Sequence, residues 1–144
     1  MFTNALRVQI VPLVCGLLLI LNAGCSGKSA QKPELAEVTG TVTLDGKPLS
    51  DAIIDFFPQS TADKSQSRAS SAATDTEGKY TLRYDNNTSG AIPGEHLVRI
   101  SKPDGGAEVA GPETLPARYN EQTTLQVTVS KTAPNQIDFD LKSK

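Results

Sequence analysis

Beyond residue 35 the sequence predicts an all-β fold, a sandwich of two antiparallel sheets. Three observations point that way. Short runs alternate apolar and polar residues, clusters of turn-forming residues separate the runs, and no window keeps a 3.6-residue apolar period over three helical turns. Composition agrees, because Thr, Ser, Val, Gly, Pro and Asp dominate this region while aromatics make up 5% of the chain and tryptophan is absent. Such a mixture favours strands and turns. With 144 residues there is material for one domain with its own core and not for two comfortable ones.

Seven strands are expected, taken in order. In "VTGTVTL" Val38, Gly40, Val42 and Leu44 share one face, and Thr39, Thr41 and Thr43 the other. Asp45-Gly46 suits a tight reversal, and Pro48 forbids a helix. "AIIDFFP", residues 52–58, is apolar on both faces and is the candidate for the most buried strand, ending where Pro58 lacks a ladder donor. A polar loop then leads into a weak strand over 68–74, and "DTEG" turns the chain again. "KYTLRY" sets Tyr80, Leu82 and Tyr84 against Lys79, Thr81 and Arg83; Pro93-Gly94 suits a type II turn before "HLVRIS" resumes the ladder. "TLQVTVS" turns Leu125, Val127 and Val129 inward, and "NQIDFDLK" does the same with Ile137, Phe139 and Leu141. The stretch 102–122 between them is too long for an ordinary connection.

The N-terminus carries an address. Arg7 precedes an uncharged run, residues 8–21, interrupted only by Gln9, Pro12 and Gly16. That is the layout of a signal peptide, and it is shorter than the ~20 apolar residues of an uncleaved span. Asn22-Ala23-Gly24-Cys25 follows and resembles the lipobox of bacterial lipoproteins, in which small residues fit a peptidase cleft and the cysteine thiol accepts the lipid. The lipobox usually has Leu three places before the cysteine; here that place holds Asn22, with Leu21 one step further off. Ordinary cleavage after a small residue, leaving Cys25 a free thiol, is the alternative. Cys15 lies inside the apolar segment and would leave with it, so no structural disulfide is expected. Losing Arg7 with the leader leaves 13 basic against 16 acidic residues, a formal charge of −3. "SGKSAQKPE", residues 26–34, is too polar to fold alone and serves as a tether. The expected organisation is a lipoprotein signal peptide over 1–24, the lipidated cysteine and tether over 25–36, and the sandwich over 37–144.

Several residues of the body also resemble the carboxypeptidase regulatory-like, transthyretin-like domain. The likeness runs from Val38 to about Lys102 through Gly40, Asp45, Gly46, Pro48, Ala52, Thr74, Asp75, Gly78, Tyr80, Leu82, Pro93 and Gly94. It implies a seven-stranded Greek-key sandwich used as an accessory module, without the zinc ligands of the carboxypeptidase itself. Its signature is made of turn residues, so it speaks for fold and not for activity. A transthyretin-like relative hydrolyses 5-hydroxyisourate, but that family needs several histidines and ends in Tyr-Arg-Gly-Ser, whereas this chain has one histidine and ends "DLKSK".

Little catalytic chemistry is in view. His96 is the single histidine, and Cys25 the single cysteine beyond the leader, which excludes the usual Cys/His zinc sites and leaves a Ser/His/Asp arrangement supported by composition alone. Asp75 to Gly78 has two carboxylates beside a glycine turn but lacks the acidic series of a calcium loop. No lysine on the first strand is available for an isopeptide cross-link. Balanced charge without a basic block excludes nucleic acid as a partner. Arg118 and Tyr119, near the end of the long 102–122 stretch, form a possible interaction loop, unless "LPARY" packs that loop back on the sandwich. The expectation is therefore a lipoprotein of the cell envelope, not an enzyme and without cofactor or metal. Acyl chains on Cys25 hold it to a bacterial membrane facing the periplasm or cell surface. It displays a structural or interaction module for a protein or glycan partner, the alternative being a ligand-binding domain.

Overall fold

The computed structural model describes residues 33–59, 68–109, 111–132 and 134–144. The expected signal peptide, Cys25 and most of the tether lie outside them. These residues form two facing sheets, and among them no helix is long and apolar enough to cross a membrane. The strands are β1 (Val38–Leu44), β2 (Lys47–Pro48), β3 (Ile53–Pro58), β4 (Ser70–Ala73), β5 (Lys79–Thr81), β6 (Arg83–Asp85), β7 (Thr88–Ser89), β8 (Gly94–Ser101), β9 (Leu125–Val129), β10 (Asn135–Gln136) and β11 (Phe139–Leu141).

One sheet is built around β1, with β10 and β11 running parallel to it on one side and β2 and β5 antiparallel on the other. The other has the order β7-β6-β4-β3-β8-β9 and is antiparallel throughout. The all-β sandwich is thus as the alternation predicts, with β3 paired on both sides as its apolar sequence requires. The parallel pairing of β10 and β11 with β1 departs from the expected all-antiparallel arrangement.

Two predicted ladders are also split. "KYTLRY" is one alternating run, but at Leu82 the chain passes from one sheet to the other. The Leu82 N–H donates to the Val38 carbonyl, and its own carbonyl accepts from the Gly90 N–H. β5 therefore belongs with β1, while β6 pairs with β4. The last run breaks into β10 and β11 at Ile137 and Asp138. There the Ile137 N–H donates to Thr39, and the Asp138 carboxylate takes the Thr41 N–H at 2.7 Å in place of a backbone carbonyl. The Asp45-Gly46 reversal has positive φ at both residues, 50° and 79°, as a two-residue hairpin turn demands.

Val38, Val42, Ile54, Phe56, Leu82, Val98, Ile100, Phe139 and Leu141 make up most of the core, each worth about 1.5–3 kcal/mol of transfer free energy for the larger side chains. Phe139 joins the two sheets, lying edge-on to Phe56 at 6.3 Å and stacked near Tyr80 at 6.4 Å. Gly40 sits beneath the Ile137 carbonyl, so close that a Cβ there would lie 1.8 Å from that oxygen. The Tyr80 hydroxyl donates to the same oxygen at 2.6 Å.

Gly40→Ala is expected to lower unfolding free energy by more than about 3 kcal/mol, because no side-chain rotation relieves a backbone clash, and thermal unfolding of the variant checks it. Burial, aided by the Asp138 charge, pushes the Tyr80 hydroxyl well above the ordinary phenol range. Its folded pKa is raised, so the stability it contributes is present below the unfolded value near 10 and is lost as pH rises above it. Stability profiles of the wild type and Tyr80→Phe should therefore run parallel up to about pH 9, separated by roughly 1–2 kcal/mol, and converge above pH 10.

Candidate functional site

The sequence places its interaction candidates, Arg118 and Tyr119, in the long stretch after β8. The structure gives that stretch a neck and a foot. At the neck the Lys102 and Leu115 N–H groups both donate to the Glu113 carboxylate, and Thr114 donates to the Lys102 carbonyl through its backbone and its hydroxyl. At the foot Leu115 is buried in the core, and a single 3-10 turn, Ala117–Tyr119, follows it. Asn120 closes the turn, buried, with its amide donating to the Leu115 and Pro116 carbonyls. "LPARY" accordingly packs the loop back on the sandwich.

Both candidate side chains engage the end of the last strand. The Tyr119 hydroxyl accepts from the Lys142 N–H at 2.9 Å, and the Arg118 guanidinium donates to the Lys142 carbonyl while lying 4.9 Å from the Tyr119 ring centre. Around them Lys142 pairs with Asp140 at 3.0 Å, Thr43 donates to Asp140 at 2.9 Å, and the Ser143 N–H donates to Asp45 at 3.1 Å. These bonds hold the Asp140 carboxyl below its usual range, through Lys142 first and Thr43 second, and raise Lys142, chiefly through Asp140. Desolvation would raise the Tyr119 hydroxyl, but the Arg118 and Lys142 contacts outweigh it and lower it. The chemistry of this cluster is that of a clamp on the chain's last residues, with Arg118 exposed and Tyr119 half-buried.

A second constellation was not legible as such in the sequence. Asp55 sits in the apolar strand β3, on the face away from the core, and is buried. It accepts from Ser71 at 2.6 Å and from both Nε and one terminal nitrogen of Arg99, at 3.1 and 2.7 Å. The Arg99 guanidinium also lies 5.3 Å from the Phe57 ring centre. The register shows how these meet: Asp55 is directly opposite Ser71 on β4 and Arg99 on β8. A lone acid inside "IIDFF" was the available signal. Beside it an open groove of about 590 Å³ runs between the outer face of β8 and the foot of the long loop, lined by Arg99, Ser101, Glu113, Leu115, Asn120 and Glu121.

His96 lies near the start of β8 and is fully buried against Phe56. Its Nε2 meets the Ile92 carbonyl at 2.7 Å and its Nδ1 has no hydrogen-bond partner, so neither an acid nor a hydroxyl is bonded to the ring. Asp75 accepts the Glu77 and Lys79 N–H groups at 2.8 and 2.9 Å, and Gly78 has a φ of 73°, which makes "DTEG" a turn with its carboxylate already engaged. Among the described residues no three His, Cys, Asp or Glu side chains converge as metal ligands. Tyr80 is buried, Tyr84 is half-buried with Arg68 5.9 Å from its ring, and the one exposed large hydrophobic among the described residues is Val109. No aromatic platform of the kind that stacks on sugars is formed by them.

No family model and no curated protein matches the chain. Among solved structures, a DUF3823 family protein from Parabacteroides merdae aligns with a TM-score of 0.41 and 14% identity, over 77% of this chain and 46% of its own. The chain therefore spans less than half the length of that protein.

Tyr119→Phe is expected to leave the Lys142 N–H without its acceptor. Hydrogen exchange at Lys142 and Ser143 should accelerate severalfold while global stability falls by less than about 1 kcal/mol, a contrast that amide-resolved exchange measures directly.

Proposed function

We propose that this chain is a bacterial lipoprotein, moored by acyl chains on Cys25 and presenting a carboxypeptidase regulatory-like, transthyretin-like sandwich as a non-catalytic structural or interaction module of the cell envelope. The observation that carries the reading is the uncharged run of residues 8–21 ending at Asn22-Ala23-Gly24-Cys25, followed at once by the polar stretch 26–34. Two or three acyl chains make attachment stable where one would be marginal, at about 0.8 kcal/mol per buried methylene.

The domain assignment is supported by what its motif residues do. Asp45 and Gly46 make the first turn, Gly78 the second, and Thr74 bonds to both Leu49 and Ala52 in the connection between β2 and β3. The non-catalytic role is supported by where the reactive side chains are used. Tyr80, Arg118 and Tyr119 bond to backbone, Asp55 is held by Ser71 and Arg99, and the imidazole faces a carbonyl. A second reading, a domain that binds a glycan or another extracytoplasmic molecule, is favoured by one observation, the open groove in which Arg99, Glu113 and Glu121 line a cavity together with apolar Pro103, Leu115 and Ala117.

Intact-mass measurement of the protein extracted from its native membrane tests the anchor. The expected species begins at Cys25 and carries two or three acyl chains; a chain recovered from the cytosol with the leader attached and Cys25 unmodified overturns the reading.

A further inference from the structure

Arg99 is held more firmly than a half-exposed cation on a sheet face needs to be. Its Nε and Nη2 both donate to one oxygen of Asp55, and its guanidinium lies 5.3 Å from the Phe57 ring centre. Asp55 is itself 7% exposed, and its other oxygen is taken by Ser71. Nη1 of Arg99 is left without a partner among the described residues, on a side chain that is 48% exposed and lines the groove of about 590 Å³. A guanidinium oriented from behind by a buried carboxylate loses little further freedom on binding, and its planar fork suits a carboxylate ligand. The Ser101 hydroxyl, next on the same face of β8, is also unpartnered among the described residues.

The loop side of the groove carries the opposite charge. Glu121 is exposed, and its carboxylate bonds to nothing among the described residues. Glu113 receives both of its N–H bonds on Oε1, so Oε2 is unused. Neither pairs with Arg99, whose ion pair is with Asp55. Leu115 and Ala117 add apolar lining. Unused donors on the sheet side and unused carboxylates on the loop side fit a ligand that carries both charges at once; a simple anion would be repelled by the two carboxylates. The site is also free of the anchor. The chain enters the sandwich through the Ala36–Ala91 bridge, just before β8 begins, whereas the groove lies where β8 ends at Ser101.

We propose that this groove binds an amino-acid zwitterion, as a free amino acid or as a short peptide with both ends free. The ligand carboxylate accepts from Arg99 Nη1 and the Ser101 hydroxyl, its ammonium donates to Glu121 and to Oε2 of Glu113, and an apolar side chain lies against Leu115 and Ala117. The proposal rests on the reading of the groove as a ligand site and names the chemistry that the site selects. Its volume is within the usual range of small-molecule pockets.

The test titrates the full chain in detergent with L-leucine, with Leu-Leu, with Leu-Leu blocked by N-acetylation or by C-terminal amidation, and with cellotriose, while NMR follows the amide signals of Arg99, Ser101 and Glu121. Leucine or Leu-Leu should saturate these signals with a Kd below about 1 mM, and whichever binds tighter tells the free amino acid from the peptide. Acetylation and amidation should each weaken binding of Leu-Leu by about tenfold or more. Glu121→Gln, an exposed change, should weaken Leu-Leu but not its acetylated form. Arg99→Lys keeps a positive charge beside Asp55, so that the fold survives, and should weaken Leu-Leu but not its amidated form. Blocked forms that bind as tightly as Leu-Leu, a Glu121→Gln variant that binds it unchanged, or a response to cellotriose and to neither leucine ligand would overturn the proposal and leave the groove a ligand site. Silence of these signals toward every probe would overturn both.

Discussion

The fold depends on one carbonyl. The oxygen of Ile137 is drawn over the first strand at a point where Gly40 has no side chain, and the Tyr80 hydroxyl closes on it from the neighbouring strand at 2.6 Å. Three segments far apart in sequence meet there, each supplying what the others lack. Gly40 supplies room, Tyr80 a donor, and the last strand an acceptor that would otherwise be buried without a partner. Because the carbonyl points that way, the ordinary ladder cannot continue, and the Asp138 carboxylate takes the Thr41 N–H that the ladder leaves over. The break between β10 and β11 is thus the geometric consequence of the same contact, with Phe139 following directly into the gap between the sheets.

That contact also explains the clamp beyond it. A strand laid parallel to β1 is joined to it by most of the domain, so its docking comes at the full cost of closing a long loop. Two polar attachments hold its end. One is the Thr43, Asp140 and Lys142 chain on the outer face of the sheet, and the other the Arg118 and Tyr119 pair that grips the Lys142 backbone from the long loop. The loop's own foot is set by Leu115 and Asn120. Arg118 and Tyr119, which resemble a contact pair when seen in isolation, are joined in this way to the closure of the fold.

What was legible in the sequence was whatever is local. Period-2 alternation placed β1, β8 and β9, a continuous apolar run placed β3, and turn chemistry placed the reversal at Asp45-Gly46 and the turn at Gly78. Even the weak strand over 68–74 is there, as β4. What escaped was set by distant partners. Alternation through Tyr80, Leu82 and Tyr84 does not reveal that the chain changes sheets at Leu82, because a residue buried between two sheets looks the same from either. Nor does alternation carry strand direction, so nothing in "NQIDFDLK" announced a parallel partner. The Asp55, Ser71 and Arg99 cluster was hidden for the same reason: the lone acid in "IIDFF" stands out, but its partners Ser71 and Arg99 do not, and only the register sets the three side by side. His96 shares the parity of Val98 and Ile100 in β8 and is buried with them.

The two sheets are consequently unequal. After β9 the chain does not turn back to add another antiparallel strand; it crosses to the first sheet, drawn by the place prepared at Gly40. Had residues 135–141 instead formed a hairpin with β9, they would have covered its edge, and β1 would have lost its partner on one side. The chain has one such strand to give, and the parallel site offers it a buried hydroxyl, a buried aromatic contact and a Thr41 N–H for its own Asp138 carboxylate, whereas the β9 edge offers backbone groups alone. Closure of the first sheet and the bare edge of the second are therefore two faces of a single choice of partner for the final strand.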